Sequence, residues 1–203
     1  MPKATKKTDT LDAIRLAKRL ARQKARLSME GMTLAQLEED SLAVCRLILE
    51  SVVWERARQV MLFVPVSKEL NVNLLMERAL GDKKLISLPR FSTKKNVYEV
   101  CEIDNLSGLM PGKFGVLEPP PDSQIMNTKQ LDLAIVPGVA FTGLGSRLGR
   151  GGGFFDRLLA RIPAIKCGVC FEQQVYPDVP VERHDIKMDM IATPNGWLVP
   201  TPA

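Results

Sequence analysis

The stretch 131-LDLAIVPGVAFTGLGSRLGRGGGFFDRLL-159 changes character along its length. It opens as a short apolar run, 131–136, stopped by Pro137-Gly138, which reads as a buried strand. It then crowds six glycines and three arginines into residues 143–157. It closes on FFDRLL, the start of a helix predicted over 153–162. Strand, glycine loop and helix in that order make one half of a β-α-β unit, which implies a parallel sheet. Ordering so many glycines is entropically costly, so the loop needs a ligand or tight packing to hold it.

The rest of the chain repeats the alternation. QVMLFVPV (59–66), KLISLPRF (84–91) and IKCGVCFE (165–172) are short apolar runs of the buried-strand kind, and KMDMIATP (187–194) reads as a last strand. NVYEVCEI (96–103) alternates and predicts a half-exposed strand. Between them, NVNLLMERALGDK predicts a helix ending at Gly81, and one long amphipathic helix is predicted from Thr33 to Trp54. Residues 104–130, with MPGKFGVLEPPPDSQ at their centre, predict loop. The fold class is therefore α/β: a mostly parallel sheet flanked by helices, preceded by a basic helix over 10–27, with residues 1–8 disordered. One domain over 1–203 is expected from the length.

Composition excludes several classes. Apolar residues make up 45% and charged residues 25% of the chain, an ordinary globular balance. No apolar run is long enough to span a bilayer, and no apolar segment follows the basic N-terminus as a secretory signal requires. Cys167 and Cys170 form a C-x-x-C inside a strand, where period 2 sends them to opposite faces, which argues against zinc or redox chemistry. Residues 1–26 carry nine Lys/Arg against two Asp, a net of +7, while the whole chain is +5, so the remainder stands at −2. The basicity belongs to the arm. That arm contains no Phe, Tyr or Trp to stack on bases, which disfavours nucleic acid as a partner. A cytoplasmic monomer with no membrane partner is expected.

The glycine loop is suited to phosphate. Its backbone N–H groups can converge on an anion, the helix dipole behind it favours negative charge, and Arg147 and Arg150 add forked donors. It matches neither a Walker A loop nor a dinucleotide fingerprint. Asp156, a few residues on, and Asp185 or Asp189 near the last strand are carboxylates able to hold a hydrated Mg²⁺ beside a nucleotide. His184, the one histidine, reads as structural.

The order of these motifs, R-L-G-x-G-x-G-aromatic-aromatic-D after a strand and P-G, with HDIKMDMIAT (184–193) downstream, resembles the 5-formyltetrahydrofolate cyclo-ligase (methenyltetrahydrofolate synthetase) family over about 33–193. FVPVSKELNVNLLM, LPRF and MPGKFGVLEP are similar to the family's flanking segments. The resemblance implies conversion of 5-formyltetrahydrofolate and ATP to 5,10-methenyltetrahydrofolate, ADP and phosphate, through a phosphorylated formyl oxygen, with Mg²⁺. It assigns the ATP phosphates to Arg147, Leu148, Gly149, Arg150, Gly151, Gly152, Gly153, Phe154 and Phe155, and Mg²⁺ to Asp156 and Asp185. It assigns the reduced folate to Val64, Glu69, Arg150, Gly151, Gly152, Gly153 and Phe154. Arg150 and Phe154 take catalytic positions where the two substrates meet.

Two departures stand out. The family commonly has tyrosines where this chain has Phe154 and Phe155. Its N-terminal helix carries two basic residues four apart that reach ATP; ungapped alignment on RLS (26–28) puts Ala13 and Ala17 there, a two-residue shift puts Arg15 and Arg19 there, and Lys18 and Arg22 offer the same spacing. These departures leave a second reading, a member with altered or lost activity that still binds nucleotide or folate.

Overall fold

The computed structural model describes residues 4–200. In chain order the elements are α1 (Ala4–Ser28), α2 (Leu34–Leu49), α3 (Val52–Arg56), β1 (Gln59–Met61), α4 (Asn73–Gly81), β2 (Leu85–Ser92), β3 (Val97–Ile103), β4 (Met110–Pro111), β5 (Leu117–Glu118), β6 (Leu133–Pro137), β7 (Ala140–Phe141), β8 (Arg147–Leu148), α5 (Phe154–Leu159), β9 (Ile165–Val169), β10 (Met190–Thr193) and β11 (Gly196–Leu198). The basic helix starts ahead of residue 10 and takes in residues 4–8, where the sequence predicts disorder; residues 1–3 lie outside the described residues.

The long helix predicted over 33–54 is two helices. Thr33 opens α2 with a capping box, its side chain accepting Gln36 N–H while the Gln36 side chain accepts Thr33 N–H. Ser51 ends the run. Its hydroxyl donates to the Ile48 carbonyl at 2.6 Å and accepts Trp54 N–H at 3.1 Å, so one side chain closes α2 and starts α3.

Seven strands form one sheet in the order β11-β10-β9-β6-β1-β2-β3. β2, β1, β6, β9 and β10 run parallel, and the antiparallel strands β3 and β11 are its two edges. β11 is absent from the sequence prediction; it arises from a tight turn in which Gly196 adopts φ +124 and faces Thr193. The predicted 104–130 loop holds a small hairpin, β4–β5. The glycine stretch holds another, β7–β8. α5 starts one residue later and ends three residues earlier than the predicted ten-residue helix, so it has only six residues and its dipole is a smaller asset.

Two apolar layers cover the sheet. One joins α2, α3 and α4 to the sheet through Ile48, Trp54, Leu75, Met76, Ile86 and Cys167. The other packs α5 through Leu158, Leu159, Phe141, Ala134 and Cys170. Cys167 and Cys170 thus face opposite layers, as period 2 requires. A third cluster (Ala25, Ala140, Leu148, Val179) seats α1 against the β7–β8 hairpin.

Candidate active site

The chain leaves β1 toward β2 and leaves β6 toward β9, so the adjacent strands β1 and β6 form the point where the winding reverses. In parallel sheets the crevice beyond the strand ends at that point is where ligands bind. A cavity of about 750 Å³ lies there. Phe63, Val64 and Glu69 line it after β1, Pro137 and Gly138 at the end of β6, and Gly149, Arg150 and Gly152–Asp156 from the glycine loop, with Tyr98 of β3 and Phe114 and Glu118 of the β4–β5 hairpin on the far wall.

The glycine loop is shaped by backbone geometry. Gly151 and Gly153 adopt φ +113 and +62, conformations that side chains disfavour. Arg147 is buried at the loop's base. Its guanidinium donates to the Pro137 carbonyl at 3.0 Å and to Asp156 Oδ1 at 2.8 Å, and its Nε has no partner. Arg147 therefore fixes Asp156 and the P-G turn rather than reaching freely into the cavity. Leu148 contributes backbone only, its side chain being buried under α1.

Arg150 is exposed and reaches across the cavity to Glu69 Oε1 at 2.8 Å. The other Glu69 oxygen accepts Val66 N–H at 3.1 Å. Burial pushes the Glu69 carboxyl above its usual range, and the Arg150 charge only partly offsets this. Phe154 stands edge-on to Phe91 (5.0 Å) and Tyr98 (5.8 Å) and packs on Phe114 (5.6 Å), while Phe155 meets Tyr98 at 5.7 Å. These rings form an apolar wall opposite the loop's polar backbone.

Asp185 Oδ2 accepts Lys18 Nζ at 2.6 Å and Glu182 N–H at 2.7 Å. Its neighbour Ile186 donates N–H to Asp156 Oδ1 at 3.4 Å, which joins the two carboxylate-bearing segments. Burial opposes charge on both members of the Lys18–Asp185 pair. Burial is the largest single influence, but the hydrogen bonds and charges around the pair together outweigh it, Glu182 accepting from Lys18 at 2.8 Å and its N–H donating to Asp185, so Asp185 lies below the usual carboxylate range and Lys18 above the usual lysine range.

The sequence profile of the 5-formyltetrahydrofolate cyclo-ligase family matches residues 7–194. The chain belongs to the 5-formyltetrahydrofolate cyclo-ligase family. Its members convert 5-formyltetrahydrofolate to the methenyl form with ATP. The chain is 28% identical over 177 residues to a probable 5-formyltetrahydrofolate cyclo-ligase of Schizosaccharomyces pombe, covering 78% of this chain and 86% of that one. It is 31% identical over 146 residues to the Escherichia coli 5-formyltetrahydrofolate cyclo-ligase, covering 68% and 79%. The solved 5,10-methenyltetrahydrofolate synthetase of Aquifex aeolicus superposes with a TM-score of 0.81 at 27% identity over 92% of this chain and 94% of that one. Among the described residues no helix is long and apolar enough to cross a membrane.

Set on this cyclo-ligase fold, the predicted residues divide. Val64, Glu69, Arg147, Gly149, Arg150, Gly152, Gly153, Phe154, Phe155 and Asp156 line one cavity, with Gly151 in the same loop. Asp185 joins them through Ile186. Arg15 and Arg19 do not: both are exposed, and Arg15 pairs with Asp12 at 3.5 Å. The α1 face toward the loop carries the alternative pair instead. Lys18 is 7% exposed, and Arg22 Nε donates to the Gly149 carbonyl at 2.8 Å. Helix phase decides this, because residues 18, 22 and 25 share one face of α1, Ala25 is its buried apolar member, and Met29 is buried just past the helix end. Asp189 is tied to Lys166 N–H at the start of β9, and His184 is exposed. The pattern readings missed Tyr98, Phe114 and Glu118. Tyr98 and Val100 are two apart on β3, and the buried Val100 marks the face that packs on α5; that alternation is the one available signal.

Proposed function

We propose that this protein is an ATP- and Mg²⁺-dependent 5-formyltetrahydrofolate cyclo-ligase in which the formyl oxygen is phosphorylated. The observation that carries the reading is Arg150. It sits on a glycine loop suited to phosphates and touches Glu69, a buried acceptor suited to the amino and ring N–H groups of a pterin. One side chain spans the two binding regions, so a γ-phosphate and a folate held there face each other. Phosphoryl transfer depends mainly on such positioning and on charge neutralisation.

The chemistry follows in three steps. The formyl oxygen attacks the γ-phosphorus and ADP leaves, with Arg150 neutralising equatorial charge as it leaves Glu69 for the phosphate. N10 then attacks the activated formyl carbon, forming the second C–N bond. The C–O bond breaks, phosphate departs, and the N10 proton is lost, which gives the methenyl product. The aromatic wall of Phe91, Phe114, Phe154 and Tyr98 shields the activated carbon from water. Lys18 and Arg22 on α1 take the nucleotide role that the family's paired basic residues imply, since Arg22 meets the glycine loop and Lys18 meets Asp185, the proposed cation ligand.

The carboxylates suit a divalent cation. Asp156 engages Arg147 through Oδ1 and Asp185 engages Lys18 through Oδ2, so among the described residues each keeps an oxygen without a hydrogen bond. Two such oxygens beside waters and phosphates are a normal Mg²⁺ complement. When bound, Mg²⁺ neutralises the triphosphate. Phe154 and Phe155 keep the stacking surface but supply no hydroxyl, a variation the proposed steps do not need. The test is near-ultraviolet absorbance of the methenyl product with 5-formyltetrahydrofolate. A rise that requires both ATP and Mg²⁺ is expected; folded protein that binds ATP or folate yet gives no rise favours the altered-activity reading instead.

A further inference from the structure

The chain has two tyrosines. Tyr176 is occupied outside the cavity, its hydroxyl 2.8 Å from Ser28 Oγ. Tyr98 lines the cavity. Its ring is fixed by edge-on contacts with Phe91, Phe154 and Phe155 at 5.7, 5.8 and 5.7 Å. Its cross-strand partner is Phe91, and its backbone carbonyl accepts Arg161 at 2.8 Å. Every part of the residue is held except the hydroxyl, which has no hydrogen-bond partner among the described residues. Burial pushes that phenol above its usual range, so it stays protonated at neutral pH. The hydroxyl is a neutral donor on the cavity that Glu69 also lines.

A pterin presents, along one edge, an amino N–H, a ring N–H and then a carbonyl oxygen. Glu69 answers the two donors. A neutral donor in the same cavity can answer the carbonyl, and an acceptor–donor pair of this kind discriminates strongly because each wrong pairing leaves a buried polar group unsatisfied. From this juxtaposition we propose that Tyr98 is a positioning residue for the folate, its hydroxyl donating to the pteridine carbonyl oxygen. The inference rests on the function proposed above and goes beyond it, because it supplies from β3 a phenol that the loop's own aromatics, Phe154 and Phe155, lack.

Tyr98→Phe tests it, since the variant keeps the ring and all three edge contacts. The expected result is a fall of about tenfold in kcat/KM for 5-formyltetrahydrofolate, with KM for ATP and the thermal midpoint unchanged. A kcat/KM that stays at the wild-type value overturns the assignment. A loss that appears in KM for ATP, or that comes with a lowered thermal midpoint, overturns it too, because the hydroxyl then serves the nucleotide or the fold. Calorimetric titration of wild type and variant with 5-formyltetrahydrofolate alone separates the two proposals. If wild type binds the folate without turning it over, the catalytic reading fails while the affinity ratio of the two proteins still decides the role of Tyr98. If wild type does not bind it, both fail.

Discussion

Asp156 lies 2.8 Å from Arg147, and their side chains are 12% and 2% exposed. Removing the charge of one member of such a pair leaves the other unpaired in a dry environment. Asp156→Asn should therefore do two things: cut turnover at least a hundredfold through the cation site, and lower stability by about 3 kcal/mol. Turnover at saturating MgATP and a urea melt check the two separately, and wild-type turnover would remove Asp156 from the cation site. On α1, Lys18→Met should raise KM for ATP about tenfold, while Arg15→Ala, at an exposed position, should leave it within about twofold. Equal effects would contradict the assigned face. Glu69 gives a pH signature. Its carboxyl is raised by burial, so acidification protonates it earlier than an ordinary carboxylate, and the proposed folate contact uses the ionised form as acceptor. Folate affinity should begin to fall at a pH above the ordinary carboxylate range, and Glu69→Gln should abolish that dependence; titrations across pH measure both. The loop residues of this site are legible in the sequence because glycines, arginines and a carboxylate stand contiguously. Tyr98 is not, and neither is the choice of Lys18 and Arg22 over Arg15 and Arg19, because both depend on the phase of an element: which face of β3 meets α5, and which side of α1 packs down.

Ser51 shows where an element-level pattern misleads. Apolar periodicity runs on from Thr33 to Trp54 and favours one helix, but the Ser51 hydroxyl satisfies both an outgoing carbonyl and an incoming N–H, and the local cap wins. Ser51→Ala should cost about 1 kcal/mol, read as a lower urea midpoint with unchanged slope. An unchanged midpoint would mean that packing of Trp54 alone sets the break. Strands were easier to read. The five parallel strands are apolar on both faces because helices cover both, so β1, β2, β6, β9 and β10 stand out as runs. β4, β5, β7, β8 and β11 are two or three residues long and are set by turn geometry, which leaves no periodic signal.

The sheet order places the β1 and β6 ends side by side, and the candidate site gathers there: Glu69 after β1, the glycine loop after β6, and the basic helix laid across the loop. Such convergence is what a two-substrate reaction demands, with the formyl oxygen and the γ-phosphorus held in contact and water excluded. The most direct measurement is to supply 5-formyltetrahydrofolate labelled with ¹⁸O in the formyl group, together with MgATP, and analyse the released phosphate by mass spectrometry. The proposed steps transfer the formyl oxygen to phosphorus and then break its bond to carbon, so each phosphate should carry the label. Phosphate free of label, formed in step with the methenyl product, would contradict phosphorylation of the formyl oxygen.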